Sequence, residues 1–514
     1  MPMRYAVSIA ALVLVAGLEG ASSTTRLVDA VKQGNRDSVR ALLKQRVDVN
    51  APEADGMTAL HWAVRASDVE TAQLLIRAGA NVRTANRYGI TPLSLAATNG
   101  NAALIEALIR AGADPNTALP DGETVLMTAA RTGNPAALKM LLVNGANVHA
   151  KEASQGQTAL MWAAAENNPA AVQVLVESGA DINARSNTLS YPQFKWVVSG
   201  MVSTSLPRGG WTPLMYAARQ NATDAARALA DAKADLNLRD PEGATALVIA
   251  IINAHFDLAA VLLEKGADPN VADETGMAGL YAAVDMHTLG PMLSRPVPKL
   301  VDKLDAADLV KILLAKGANP NARLKRPVLG RHHDGGDASL GDGTTPLMRA
   351  AKANDVPVLR LLLEGGADPF LTQKDYTSAL MIAAAGGGRV GAYASPFPVS
   401  EAGAIEAIKV LVEYGADVNG FNANGQTALH SAAQRGADNL VKYLAERGAK
   451  LDLKNKQGLT PLDLAMGLGG RGGFRPGRPP VGAQVRESTA ALLKQLMANR
   501  TASAALTTTS SPQP

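Results

Sequence analysis

The sequence predicts an all-α fold, a solenoid of stacked antiparallel helix pairs, and three observations carry that prediction. A Gly, a Thr or its substitute, a Leu and a small residue recur eleven times along the 514 residues, each copy closing about twenty residues later on Gly-Ala-Asp or Gly-Ala-Asn. The anchor glycines keep a fixed period, because Gly56, Gly89 and Gly122 stand 33 residues apart, as do Gly210, Gly243 and Gly276, and Gly425 and Gly458. Self-similarity at such a period marks a repeat architecture, in which no unit can bury its own apolar face and each depends on its neighbours.

Residues 1–22 read as a secretory signal. Arg4 precedes an apolar run from Ala6 to Gly17, followed by small residues around Ala21 and Ser22. Twelve apolar residues are too few to span a bilayer comfortably, so no stable membrane insertion is expected after cleavage. Cysteine is absent, which removes both a lipidated cysteine and a disulfide framework. The Ala- and Arg-rich style with this leader points to a bacterial periplasmic or secreted destination. The repeat array is expected over residues 23–498, with residues 24–50 as a degenerate unit whose polar opening faces water.

Within each copy, the Thr before Pro or Ala suits a helix N-cap, because its hydroxyl accepts a backbone N–H that the first turn leaves unpaired. Pro at the next position has no N–H to lose. In the first copy Leu60 and Ala63 face a second helix whose apolar positions Ala72, Leu74 and Leu75 follow helical spacing, and Gly79 ends that helix in the left-handed conformation. The seventh copy, Gly276-Met277-Ala278-Gly279-Leu280, loses Thr and Pro and is expected to be weakly capped and mobile. The ninth puts Tyr376 where the turn Gly belongs. Beyond Asn499 the composition turns to Ser, Thr, Pro and Gln, so residues 499–514 are expected to be a disordered tail.

At Gly425-Gln426-Thr427-Ala428-Leu429-His430-Ser431-Ala432-Ala433, preceded by Gly415-Ala416-Asp417-Val418-Asn419, the chain resembles the ankyrin repeat family almost letter for letter. The resemblance covers roughly residues 25–498. It implies β-turn fingers between the helix pairs and a concave groove lined by the first helices, a fold that serves protein binding. The family His is often Met here (Met127, Met161, Met215, Met348, Met381), read as apolar packing in place of a turn-bracing hydrogen bond.

Five insertions interrupt the period, near residues 186–209, 288–305, 322–341, 386–401 and 467–485. Loops on a regular scaffold are where specificity is added. The first holds Tyr191, Phe194 and Trp196, with Trp211 just after, in a chain that is 4% aromatic. These aromatics are either anchors for a partner or a small hairpin that covers its own scaffold. A second candidate surface follows from aligning the first helices, which places Trp62, Trp162 and Tyr216 at one position and Arg65, Arg131, Arg219, Lys352 and Arg435 near the helix end. By resemblance these line the groove and would suit an acidic protein segment. The alternative is that the cations offset the helix dipole.

Sites for chemistry are sparse. There is no Cys nucleophile, no Gly-x-Ser-x-Gly elbow and no His-Glu-x-x-His helix. Gly467-Leu468-Gly469-Gly470-Arg471-Gly472 follows a helix rather than a strand, against the phosphate-binding context. His332, His333, Asp334 and Asp337 in a Gly-rich loop offer either a divalent-metal site or a solvated polar loop. Fifty basic and 46 acidic residues give a net charge of +4, too balanced to argue for nucleic acid. The expectation is therefore a monomeric, non-catalytic scaffold without cofactor whose partner is another envelope or secreted protein, with a metal- or ligand-binding repeat protein or a secreted effector as the alternatives.

Overall fold

The computed structural model describes residues 26–189, 196–198, 201–203, 208–288, 302–326, 340–386, 400–468 and 485–508. The leader at residues 1–22 and most of the five insertions, with His332, His333, Asp334 and Asp337, lie outside the described residues. The described chain is built from helix pairs and falls into two units, Met1–Leu189 with Arg208–Pro241, and Ser190–Pro207 with Glu242–Pro514. Among the described residues no helix is long and apolar enough to cross a membrane.

In the N-terminal unit the pairs are α1 (residues 26–32) with α2 (Arg36–Lys44), α3 (Ala59–Arg65) with α4 (Val69–Arg77), and α5 (Pro92–Thr98) with α6 (Ala102–Arg110). They continue as α7 (Val125–Thr132) with α8 (Pro135–Val143), α9 (Ala159–Ala165) with α10 (Pro169–Glu177), and α11 (Pro213–Arg219) with α12 (Thr223–Asp231). First helices stack on first helices, α3 on α5, α5 on α7, α7 on α9 and α9 on α11, while α4, α6, α8, α10 and α12 form a second row. Strands β1 (Thr188–Leu189) and β4 (Arg208–Gly209) pair at the base of the first insertion. Between them in sequence, β2 (Trp196–Val198) and β3 (Met201–Ser203) form an antiparallel hairpin, so part of the insertion is a hairpin as the sequence allowed.

The other unit continues with α13 (Ala246–Ile252) and α14 (Phe256–Glu264), α15 (Gly279–Thr288) and α16 (Ala306–Ala315), and α17 (Pro346–Ala353) and α18 (Val356–Glu364). It ends with α19 (Ala379–Ala385) and α20 (Glu401–Glu413), α21 (Ala428–Arg435) and α22 (Asp438–Glu446), and α23 (Pro461–Ala465) and α24 (Glu487–Thr508). The last helix corrects the expected tail, because the chain stays helical ten residues past position 498. Residues 502–505 are Ala, Ser, Ala and Ala, which favour helix, and Arg500 ties the helix to the carbonyls of Ala449 and Ala445 at 2.9 and 2.7 Å.

The Thr caps form as the residues dictate, with the hydroxyls of Thr91, Thr124, Thr158 and Thr212 accepting from the N–H three residues on. His61 reinforces its cap: Nδ1 accepts from the Thr58 N–H at 3.1 Å, and Nε2 meets the Ile90 carbonyl of the next turn at 3.1 Å. His430 repeats this with Thr427 and Leu459. The Met substitutes do more than pack, because the sulfurs of Met127 and Met161 take the Nδ1 place and receive the Thr124 and Thr158 N–H at 3.4 and 3.5 Å. Helix α15 has no side-chain cap, and its Gly279 N–H instead donates to Pro269 O at 3.2 Å. A Cβ on Gly279 would come within 3.3 Å of Leu313 and 3.5 Å of Ile251, so the glycine sits in a closely packed place where a larger residue would make these side chains shift.

Two contacts join successive repeats. The first is turn on turn: Arg87 N–H donates to Asp55 O, Ala153 N–H to Asp121 O, and Lys456 N–H to Asn424 O. Gly56 permits it with φ +87°, since a Cβ there would meet the Asn86 Cα at 3.0 Å. The second is an asparagine bridge. Asn50 Nδ2 donates to Gly79 O while its Oδ1 accepts the Asn81 N–H, and Asn116, Asn270, Asn321 and Asn419 each do the same to the following repeat. Where Arg83 replaces the Asn, its Nε donates to Gly112 O at 2.6 Å.

The 34-residue step from Gly122 to Gly156 has a local cause. The turn gains one residue, and Glu152, 6% exposed, uses its longer side chain to accept the N–H groups of Ser154, Gln155 and Gln157 and the Ser154 hydroxyl. Burial alone would raise its pKa, but these donors outweigh it and hold the carboxyl below its ordinary range.

Burial pushes the pKa of both His61 and His430 below the ordinary His value, against the pull of their carbonyl partners. The unfolded chain therefore takes up these protons first as pH falls. The stabilisation is complete above about pH 6.5 and is lost as pH falls from there through the folded value. Chemical denaturation of wild type at about pH 7.5 and about pH 5.5 is expected to show a lower midpoint at the acid end, and the double variant His61→Met/His430→Met is expected to lose less between the same two pH values. An equal or larger loss in the variant would show that the two imidazoles are not held neutral.

Candidate functional site

The row of first helices in the N-terminal unit carries the candidate surface. Positions such as Leu60, Ala63 and Val64 are fully buried between helices, which leaves the residues at the Trp62 and Arg65 positions on the other face. Trp62 and Trp162 are half-buried there and Tyr216 is buried, while Arg65, Arg131 and Arg219 are exposed in the last turns of their helices.

Each of these arginines lies against an indole. The guanidinium carbon of Arg65 is 5.1 Å from the Trp62 ring centre, that of Arg131 is 5.4 Å from Trp162 on the next repeat, and that of Arg219 is 5.1 Å from Trp211. Such contacts are worth on the order of 0.5–1 kcal/mol when exposed, and they hold the planar cation in one orientation. Trp211, grouped by sequence with the finger insertion, belongs in space to this surface. Its ring meets Tyr216 edge-on, with centres 5.5 Å apart at 70°, and its Nε1–H donates to Asp240 at 3.3 Å. The Tyr216 hydroxyl accepts from Gln157 Nε2 at 3.0 Å. Tyr191, Phe194 and the side chain of Trp196 lie outside the described residues.

Acidic groups brace the aromatics from the turns. Glu53 accepts the Trp62 indole N–H at 2.6 Å and pairs with Lys32 at 2.6 Å, whose ammonium lies 4.2 Å from the same ring. Glu123, with a side chain 13% exposed, accepts from Thr128 at 2.8 Å and stands 3.7 Å from Arg131. Sequence reasoning missed both, because a turn residue's direction depends on the neighbouring repeat; the available signal was a Glu in each of the turns preceding α3 and α7. The Trp162 Nε1–H, by contrast, is buried with no hydrogen-bond partner.

The second unit departs from this arrangement. Arg349 occupies the Trp62 position but is 5% exposed, and its Nε donates to Asp285 at 2.6 Å, where Asp285 takes the place of Arg65 in the preceding repeat. Two residues on, His287 Nδ1 is 2.5 Å from Asp355, a fully buried carboxylate that also caps α18 through the Val358 N–H. The Asp355 hydrogen bond raises the His287 pKa against the opposing effect of burial. This cluster was not foreseen, since its pairs are 64 and 68 residues apart in sequence. Arg435, expected in the stripe, reaches back to the Ala384 carbonyl at 2.8 Å at the end of α19, where the dipole reading of these cations applies.

A family model described as ankyrin repeats, three copies, matches residues 27–118, 93–186, 192–273, 301–392 and 399–471. The B-cell lymphoma 3 protein homolog of Mus musculus is 28% identical over 192 residues, 36% of this chain and 35% of that protein. The ankyrin repeat protein nuc-2 of Neurospora crassa is 29% identical over 170 residues, 32% of this chain and 16% of that protein. The E3 ubiquitin-protein ligase KEG of Arabidopsis thaliana is 27% identical over 238 residues, 41% of this chain and 13% of that protein. The chain thus spans about a third or less of the length of these relatives.

The two indoles differ in a way that denaturation can read. Trp62→Phe removes the donor to Glu53 and should cost about 1.5–3 kcal/mol, the range for a hydrogen bond to a charged group. Trp162→Phe removes an unpaired buried N–H and should cost less than half of that. Urea titration of the two variants gives the order, and a larger loss for Trp162→Phe would contradict the assignment of Glu53 as a brace.

Proposed function

The chain belongs to the ankyrin repeat family, and from that premise we propose that it is a non-catalytic scaffold that binds another protein along the first-helix face of its N-terminal unit. The observation that carries the reading is the stacking of Arg65, Arg131 and Arg219 on Trp62, Trp162 and Trp211. Large aromatics and arginines are the residues that most often dominate binding energy, and rings already held by neighbours bind without a large ordering cost. In the other unit the described first helices have Ile249, Ala282, Arg349, Ile382, Ser431 and Leu464 at the Trp62 position, with no aromatic among them. The reading extends to location: Arg4, the apolar run from Ala6 to Gly17 and the small residues around Ala21 support export, so the proposed partner is an envelope or secreted protein.

A photo-crosslinking residue placed at Thr98, exposed in the Arg65 position of the second repeat, tests the reading against one at Val143, 85% exposed on α8 of the other helix row. Exposed to the envelope fraction of the native host, the protein is expected to give a discrete crosslinked species from Thr98 and none from Val143. Equal capture at both positions, or none at either, would count against a first-helix binding face.

A further inference from the structure

The link between α18 and α19 departs from its counterparts at two structural places, and each departure exposes an aromatic ring. Phe370 stands where Asn321 and Asn419 bridge to the next repeat, and Tyr376 stands where Gly343, Gly425 and Gly458 turn the chain. The first change gives up both bridging hydrogen bonds. The second puts a bulky residue at φ +65°, a conformation that strains it. Phe421 on the next link is a third ring, and the three are 63%, 65% and 65% exposed. Strained residues that persist in a structure cluster at functional places, and large aromatics are the side chains that most often anchor a partner.

Backbone hydrogen bonds fix the register of these links. Lys325, Lys374, Ala423 and Lys456 occupy one position, each donating its N–H to the preceding turn, at the carbonyls of Thr275, Asp342, Asp375 and Asn424. Two residues earlier the shared position holds Arg323, Thr372, Phe421 and Lys454. The rings therefore belong to the two middle turns, while the outer turns carry Arg323, Lys325 and Arg326 on one side and Lys454 and Lys456 on the other. These outer cations are exposed and make no side-chain hydrogen bond or ion pair. Lys450 and Asp452 offset each other on the last link. In the middle, Lys374 pairs with Asp342 at 3.2 Å, and Asp368, Asp375 and Asp417 stay anionic while each accepts a backbone N–H of its own turn.

We propose that this edge of the second unit binds a protein segment with acidic residues at both ends and apolar residues between them. Neighbouring packed helices lie roughly 10 Å apart, so the outer turns are about 30 Å from one another, which an extended segment covers in about nine residues. Nucleic acid or an anionic bilayer fits less well. Either carries negative charge throughout and would set it against Asp368, Asp375 and Asp417, whereas a protein segment can confine its charge to the ends.

The test uses the full chain and fluorescence anisotropy with two labelled peptides of the same composition, each about 12 residues long. One carries a Glu pair at each end around Leu and Val, and the other gathers the same Glu residues in the middle; phosphatidylglycerol vesicles and a single-stranded oligonucleotide are run beside them. The end-acidic peptide is expected to bind at least about tenfold more tightly than the centre-acidic one and to weaken with salt, and Lys454→Ala/Lys456→Ala is expected to lower both the affinity and that salt dependence. Phe370→Asn and Tyr376→Gly restore the bridging residue and the turn glycine, so each is expected to raise the urea midpoint while binding falls about tenfold. A merely structural role for the rings would move stability and binding in the same direction. Equal binding of the two peptides, no binding of either, unchanged binding or lower stability in both ring variants, or tighter binding of the vesicles or the oligonucleotide would overturn the proposal. Crosslinking from Thr98 reports on the first-helix face of the N-terminal unit, so either reading can fail while the other stands.

Discussion

Everything in this structure depends on the docking of one turn onto the next. A turn glycine at φ +87° brings its backbone so close to the following turn that a Cβ would meet the Asn86 Cα at 3.0 Å, and the next N–H then reaches back across the joint to Asp55 O. The asparagine bridge repeats the constraint on the other side of the helix pair, one side chain meeting a Gly carbonyl and an N–H of the adjacent repeat. Neither group can be satisfied within its own repeat. Each repeat supplies hydrogen-bond partners to the next, so the repeats order one another.

That coupling is what turns scattered side chains into a surface. Trp162 receives its cation from the preceding helix, and Trp62 receives its acid from a turn, so the arrangement of the inner face depends on repeat-to-repeat placement. Where the pattern departs, the structure compensates locally. Glu152 spans a turn one residue too long, and Gly279 closes against Leu313 where no Thr caps the helix. Tyr376, at φ +65° and 65% exposed in the turn-glycine place, has no such compensation among the described contacts beyond its own turn hydrogen bond to Gln373 O. In the other unit the same pair of positions that elsewhere holds arginine on tryptophan holds Asp285 on Arg349, an ion pair of a buried arginine with a half-buried carboxylate.

The fold was legible because its signals are local and repeated. Thr91 as cap, Gly79 as helix stop and Leu60 with Ala63 as core each depend on a few residues of sequence. Partner choice was less legible. Arg435 and Arg131 look alike in the alignment, yet one caps the end of α19 and the other lies over an indole, because what each meets is set by the neighbouring repeat. Trp211 followed the insertion in sequence and joined Tyr216 in space. The His287–Asp355 pair spans 68 residues and gave no periodic signal. The end of the last helix was misjudged because Ser and Thr were weighed above the alanines and the Arg500 anchor.

The most direct measurement of the coupling is native-state hydrogen exchange on wild type and on Asn116→Ala, which removes the bridge to Gly145 and Asn147. If neighbouring repeats order one another, protection should fall together on both sides of the lost bridge, in α5 and α6 as well as in α7 and α8, by an amount corresponding to about 1–2 kcal/mol. Loss of protection confined to the loop at residues 114–118 would contradict the account, because the repeats would then be stable one at a time.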